Sequence, residues 1–304
     1  MKEYFPEGYL INSTYNKQAT ADMQSLGKCA QQQNIIEARA LMCDREHNLI
    51  VELNGGTKGI IPRSEGAYSK QGEIKDIAVI SKVGKPVCFT VTGFTDEGVP
   101  LLSRARAQAM CMNDYIMNLI RGDVVKGTVT RLDGFGAFID IGCGIVALMP
   151  IDAISVSRIS HPSDRFTVGL SIKAVVSGVD RELQRITLSH KELLGTWEEN
   201  AARFEMGQTV FGIVRSVEHY GIFVELTPNL AGLAELRPNV SVGHAACVYI
   251  KSILPDKMKI KLVIIDTFEN KAASEQISYP DFVHISRWKY SPDCCNKKVE
   301  IVYD

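Results

Sequence analysis

Apolar and polar residues alternate with period two along most of the chain, in short runs cut by glycine and aspartate. Between Arg121 and Lys191 these runs predict five strands, near Val124–Arg131, Ala137–Ile141, Val146–Met149, Ser171–Val179 and Arg185–Ser189. Turn chemistry separates them at Asp133-Gly134 with Gly136, at Gly142-Cys143-Gly144 and at Asp180-Arg181-Glu182. The longer stretch Asp152–Thr167 joins the third strand to the fourth. Landmarks of this segment recur on either side. A Val-Gly pair opens an alternating run at Val83-Gly84, Val168-Gly169 and Val242-Gly243. Gly59-Ile60-Ile61-Pro62 returns 88 positions later as Ala147-Leu148-Met149-Pro150, and 85 further on as Gly232-Leu233-Ala234-Glu235. Landmarks in one order and register describe a threefold repeat. Five short antiparallel strands cannot bury a face as an open sheet, so each repeat is expected to close into a small barrel.

Between repeats the pattern turns helical. Arg104–Ile120 and His190–Phe204 are rich in Ala, Met, Leu, Glu and Arg, lack proline and are followed by glycine, at Gly122 and Gly207. The expected fold is therefore mainly β, with three tandem five-stranded barrels and short helical connectors. Its predicted order is an N-terminal helical segment over 1–33, a first barrel over 34–104, a connector over 105–120, a second barrel over 121–190, a connector over 191–206, a third barrel over 207–266 and a β extension over 267–304. Within the extension, Phe282–Tyr290 and Lys298–Tyr303 read as a hairpin packed on the third barrel.

Composition narrows the function classes. Apolar residues make up 45% and charged residues 23%, ordinary values for globular protein. No run approaches the roughly eighteen apolar residues of a membrane span, and Met1–Pro6 lacks the flanks of a secretory signal, so a cytoplasmic protein with no membrane partner is expected. Eight cysteines without a Cys-x-x-Cys pair argue for reduced, mostly buried thiols. Scattered histidines give no metal-ligand spacing, and neither a phosphate-cradling loop nor a nucleophile elbow is present. The expectation is a non-enzyme with no cofactor, no metal and no small-molecule substrate. Net charge is only -1, but it is uneven: residues 121–191 carry nine Lys/Arg against seven Asp/Glu, whereas 34–104 balance at nine each. Electrostatic attraction to a polyanion would be local and modest.

The second strand of the middle repeat supplies the candidate chemistry. If Ala137, Ile139 and Ile141 face the core, Phe138 and Asp140 face outward. Phe135 lies at the strand entry, and Lys126, Thr128 and Thr130 point outward on the preceding strand. The third repeat copies this, with Ile222, Val224 and Leu226 inward, Phe223 and Glu225 outward, Tyr220 at the entry and Phe211 outward on its first strand. Outward aromatics beside basic and hydroxyl groups can stack unpaired bases. They can equally lie under a neighbouring element, and the pattern alone leaves both readings open.

The run from Lys126-Gly127-Thr128 through Asp133-Gly134-Phe135-Gly136-Ala137-Phe138 to Ile141 closely resembles the opening of the S1 RNA-binding domain, an OB-fold module named for a ribosomal small-subunit protein. Phe211-Gly212-Ile213-Val214 followed by Tyr220-Gly221-Ile222-Phe223-Val224 resembles it too, and the first repeat does so more faintly. The resemblance covers about two-thirds of the chain. It implies an RNA surface of two strand-two aromatics, a histidine ending strand three, and an Asp and Arg about the strand 4–5 turn. On this chain those positions hold Phe135, Phe138, Asp180 and Arg185 in the middle repeat, with Pro150 in place of the histidine. In the third they hold Tyr220, Phe223, Asp256 and Lys259, with Glu235 in place of the histidine. The first offers His47 and Ile50 for the aromatics, Pro62 for the histidine, and Asp96 alone of the turn pair. The resemblance further implies single-stranded RNA binding, strongest on the middle repeat, with mRNA or the ribosome as partner. The rival expectation is a protein-interaction scaffold that keeps the barrels without binding RNA.

Overall fold

The structure, a computed structural model, describes residues 3–70, 74–269 and 279–303. It divides into two compact units, 1–119 with 140–147, and 120–139 with 148–304. The first unit opens with α1 (Thr14–Ala19) and α2 (Met23–Gln32). Side chains of Ser13 and Asp22 accept the first free amides of these helices, from Asn16 and Ser25. Five strands come next, β1 (Ile36–Cys43), β2 (Leu49–Glu52), β3 (Lys58–Ile61), β4 (Pro86–Phe94) and β5 (Pro100–Ser103), with α3 (Asp76–Ile80) between β3 and β4. They close in the order β1-β2-β3-β5-β4. Antiparallel β1–β4 pairing completes the ring and β3 runs parallel to β5. Ile36, Leu49, Ile61, Phe89 and Leu102 fill the interior. Helix α4 (Arg104–Asp114) leaves the barrel, capped by Ser103.

The middle barrel, β6 (Val124–Asp133), β7 (Gly136–Gly142), β8 (Ile145–Pro150), β9 (Ser171–Asp180) and β10 (Arg185–Ser189), repeats the topology as β6-β7-β8-β10-β9. The five predicted strands of this repeat are all present, lengthened by one or two residues or unchanged. A five-residue helix, α5 (Trp197–Ala201), leads to the third barrel, β11 (Thr209–Glu218), β12 (Gly221–Thr227), β13 (Leu230–Ala234), β14 (Ala245–Leu254) and β15 (Lys259–Phe268), again closed in the same order. The fold is thus mainly β, with three closed five-stranded barrels and few helices. Ala137, Ile139 and Ile141 are buried as the alternation requires, and so are Ile222 and Val224. Among the described residues no helix is long and apolar enough to cross a membrane.

Three expectations need correction. The second connector is not one helix: Lys191–Leu194 forms a 3-10 turn, and Gly195, at φ 81°, breaks the chain before Thr196 and Glu199 cap α5. The C-terminal strands are shorter than predicted, β16 (Arg287–Lys289) pairing with β17 (Glu300–Val302), and part of the extension, 270–278, lies outside the described residues. Nor does this segment pack on the third barrel alone. Trp288 and Tyr290 do enter that barrel's cluster, but Val283 accepts a hydrogen bond from the Val124 amide at 2.9 Å, Ile285 donates to Gly122 at 2.8 Å, and Tyr303 packs on Val175 of the middle barrel.

The third correction concerns the outward carboxylates of the second strands. Both leave the barrel interior, yet neither meets solvent. Asp140 is 2% exposed and accepts from the amides of Glu7, Gly142 and Gly144 at 2.9–3.0 Å. Burial, with the Glu7 charge beside it, pushes its carboxyl up to about 6. Glu7 is buried as well, but Arg104 and then Lys82 hold it down to about 2. Glu225 is 5% exposed beneath Arg165 and Arg215, the latter at 2.9 and 3.2 Å.

The middle and third barrels are joined within one unit by further polar contacts. The Asn229 amide donates to the Lys191 and Gly195 carbonyls at 2.8 Å, and its oxygen accepts from Val156 N at 3.0 Å. Ser157 N donates to Pro228 O at 3.1 Å. His190 is fully buried between Phe166 and Tyr279, its ring nitrogens 3.2 Å from Ile154 O and 2.9 Å from the Tyr279 hydroxyl. Burial holds this imidazole down to about 4.

Two outcomes are expected. Ile139→Ala should destabilise the chain by about 2–5 kcal/mol in denaturant unfolding, through reduced burial and the cavity left behind. The second concerns pH. Native His190 stays neutral while the unfolded chain takes up a proton below about 6.5, so its contribution to stability is present above 6.5 and is lost as pH falls toward 4. The difference between wild-type and His190→Gln stability should therefore shrink across that window by up to ~3 kcal/mol. A difference that stays constant would contradict the neutral buried imidazole.

Candidate nucleic-acid interface

At the entry to β7, Gly136 brings the chain against the end of β8: a Cβ there would lie 2.4 Å from the Met149 carbonyl oxygen. The close approach turns Phe135 out of the barrel, 56% exposed, with its carbonyl accepting from Ile151 N at 3.0 Å. Phe138, half-buried, meets it edge to face, centroids 5.8 Å apart and planes at 89°. The third barrel repeats this almost unchanged. Gly221 crowds the Ala234 carbonyl, Tyr220 is 58% exposed, and Tyr220 and Phe223 lie 6.1 Å apart at 88°. Edge-to-face geometry is the favoured arrangement of two rings with their quadrupoles. It leaves Phe135 open to a planar partner, whereas Tyr220 also meets the His219 ring, centroids 4.9 Å apart at 90°.

The other sequence-predicted residues fall into separate groups. Thr130 donates its hydroxyl to Phe138 O at 3.0 Å and so borders the middle pair. Thr128 lies opposite Ser171, and Lys126 opposite Lys173, which binds Pro280 O and Asp281 of the C-terminal segment. Lys126 is five residues from Arg131, about 17 Å along an extended strand. Phe211 is likewise distant from the third pair: β11 puts Ser216, not Phe211, opposite Phe223. Phe211 is 67% exposed and approaches Phe268 at 6.4 Å. Asp180 faces Arg185 across the β9–β10 turn, where its carboxylate accepts from Leu183 N at 2.8 Å and shapes the turn. Asp256 lies in the turn Pro255–Lys257, and Lys259 pairs with Leu254 beside it; both are exposed. Glu235 and Asp96 are exposed, whereas His47 pairs with Asp76 at 3.3 Å. Among the described residues, no aromatic pair occupies the corresponding strand of the first barrel.

Two residues at the pairs were not anticipated. The Arg131 guanidinium lies over the Phe138 ring, 4.2 Å from its centroid, and Arg131 Nη2 is 2.7 Å from Asp133. Strict alternation would have sent Arg131 inward. In the first and third barrels, however, the first strand shifts register between Ala40 and Met42 and between Val214 and Ser216. At the matching place in β6 the alternation breaks, leaving both Thr130 and Arg131 exposed. The second residue is Lys261. Phe223 pairs with Leu233, and Leu233 with Lys261, so these three share one row across β12, β13 and β15. Lys261 has the same strand parity as Lys259 and was legible to that extent.

Closed barrels in one repeated topology, two of them with the same aromatic pair, define a tandem array of OB-like barrels. Residues 119–191 match the sequence profile of the S1 RNA binding domain. The particular protein that the chain resembles is small ribosomal subunit protein bS1. It is 30% identical to that of Rhizobium meliloti over 193 residues, covering 59% of this chain and 34% of the relative. Identity to the bS1 homolog of Bacillus cereus is 35% over 177 residues, 54% and 46% of the two chains. With bS1 of Leuconostoc lactis it is 30% over 236 residues, 76% and 52%. The chain thus spans between a third and about half of the length of these relatives.

Glu225 lies on the same strand as Phe223 and is buried with two arginines. Removing the Glu225 carboxylate would leave Arg165 and Arg215 facing each other, and Glu225→Ala is expected to cost roughly 3–5 kcal/mol of stability in thermal or urea unfolding. A change below about 1 kcal/mol, typical of an exposed pair, would contradict this.

Proposed function

We propose that the chain binds single-stranded RNA through its middle and third barrels and acts in translation in the cytoplasm, with mRNA and the ribosome as its partners. The observation that carries this reading is the duplicated aromatic pair: two barrels present the same edge-to-face rings at the same strand position, each with an outer ring more than half exposed. Bases have π-faces whatever their identity, so such rings favour sequence-tolerant stacking on unpaired strands. A cation lies on the middle pair, Arg131, and in the third barrel Lys261 shares the cross-strand row of Phe223 two strands away. The names of the relatives support a ribosomal setting. A net charge of -1 fits an interaction in which stacking contributes more than phosphate neutralisation. We rank the barrels middle, third, first, because the first lacks the aromatic pair. Nothing in this scheme needs a reaction.

Anisotropy of a labelled unstructured RNA, titrated with the full chain, tests the reading. Phe135→Ala and Tyr220→Ala should each weaken binding by about 1–3 kcal/mol while leaving the melting temperature unchanged, since both rings are more than half exposed. Lys261→Gln should make the log–log salt slope shallower by about 0.7. Binding unaffected by either aromatic substitution would remove the stacking reading.

A further inference from the structure

The two aromatic pairs are alike in ring geometry but not in what lies on the inner ring. In the third barrel the residue opposite Phe223 is Ser216, whose short hydroxymethyl group cannot cover a ring. In the middle barrel Arg131 lies 4.2 Å over Phe138. One contact of Phe138 is therefore a guanidinium and another is the perpendicular Phe135 ring, and the ring itself is half-buried. One of its faces is already occupied. Phe135, more than half exposed, retains an open face.

A guanidinium laid on an aromatic ring keeps its N–H groups in its own plane, directed past the ring edge. It is thereby oriented without consuming its hydrogen-bond donors. One of them engages Asp133 at 2.7 Å, in a pair whose Arg131 side chain is 62% exposed and which binds weakly in water. The remaining donors suit the two oxygens of a phosphodiester. An ammonium on a flexible stem would carry the same charge without that orientation.

We infer that the middle barrel offers one base platform, Phe135, and that Arg131 is its phosphate ligand, with Phe138 a positioning residue that holds the guanidinium in place. This rests on the RNA-binding reading above and specifies how that site divides its work. Asp133 has a defined part: it holds Arg131 in the free protein and competes with phosphate for it. The break in strand alternation makes the arrangement possible by turning Arg131 outward beside Thr130.

The test uses the full chain and a labelled oligouridylate, with anisotropy measured across a potassium chloride series. Arg131→Gln should weaken binding about tenfold near 0.1 M salt and make the log–log slope shallower by about 0.7, the signature of one fewer phosphate neutralised. Arg131→Lys should restore the slope but not the whole affinity. Phe138→Ala should reproduce the slope change of Arg131→Gln, whereas Phe135→Ala should lower affinity at unchanged slope. Asp133→Asn should tighten binding. Because Phe138 is half-buried, Phe138→Leu accompanies it to preserve packing, and melting curves are recorded for every variant. An unchanged slope in Arg131→Gln would overturn the assignment, as would a Phe138→Leu variant that behaves like Phe135→Ala. If wild-type protein fails to bind the RNA at all, the RNA-binding reading falls and this division of labour falls with it.

Discussion

Ring closure is the constraint on which the other features depend. A barrel of only five strands must bend its first strand sharply, since that strand pairs with the second on one side and with the fourth on the other. Register shifts in β1 and β11, and the broken alternation in β6, accommodate the bend. The surface is altered in two ways. The strand beyond the bend changes which parity faces outward, and the entry to the second strand is pressed against the end of the third, where only glycine fits, at Gly136 and Gly221. The exposed aromatic at each entry and the guanidinium over Phe138 are both products of closing the ring.

Buried charge supplies the second level of organisation. Asp140 and Glu225 occupy equivalent places on β7 and β12, pointing away from their barrel interiors, and both serve as acceptors in sealed environments. Asp140 collects three backbone amides, while Glu225 neutralises two arginines. Arg165 comes from the loop that leads from β8 to β9, so the Glu225 contact ties the middle barrel to the third. Asn229 reinforces that junction by filling its amide's hydrogen-bonding capacity with backbone groups of the connector and of the same loop. Unsatisfied polar groups are costly in such places, so the contacts select one arrangement of the two barrels over others. Within that unit the aromatic pairs have fixed relative positions, which differs from flexibly strung beads whose affinity would depend on linker length.

The alternation of Ala137, Ile139 and Ile141, the Val-Gly landmarks and the turn residues were enough to specify three five-stranded barrels, because strand parity and turn chemistry are local properties. Phe135, Phe138, Tyr220 and Phe223 were legible for the same reason: each lies one or two residues from the glycine that marks its strand entry, Gly136 or Gly221. Lys126 and Phe211 were grouped with them by sequence but lie five residues along their strands from the positions beside the pairs, since membership of one strand says little about distance from its bend. Arg131 was hidden by a break in alternation that shifts parity, and Lys261 by a parallel pairing between strands far apart in the chain. The buried state of Asp140 and Glu225 depended on groups 60 to 133 residues away, at Arg165 and Glu7. Sequence alone determined the barrels and their aromatic entries, through short-range periodicity; tertiary structure decided which charges are covered and which cation meets which ring, because desolvation and cross-strand contact are set by residues that only folding brings together.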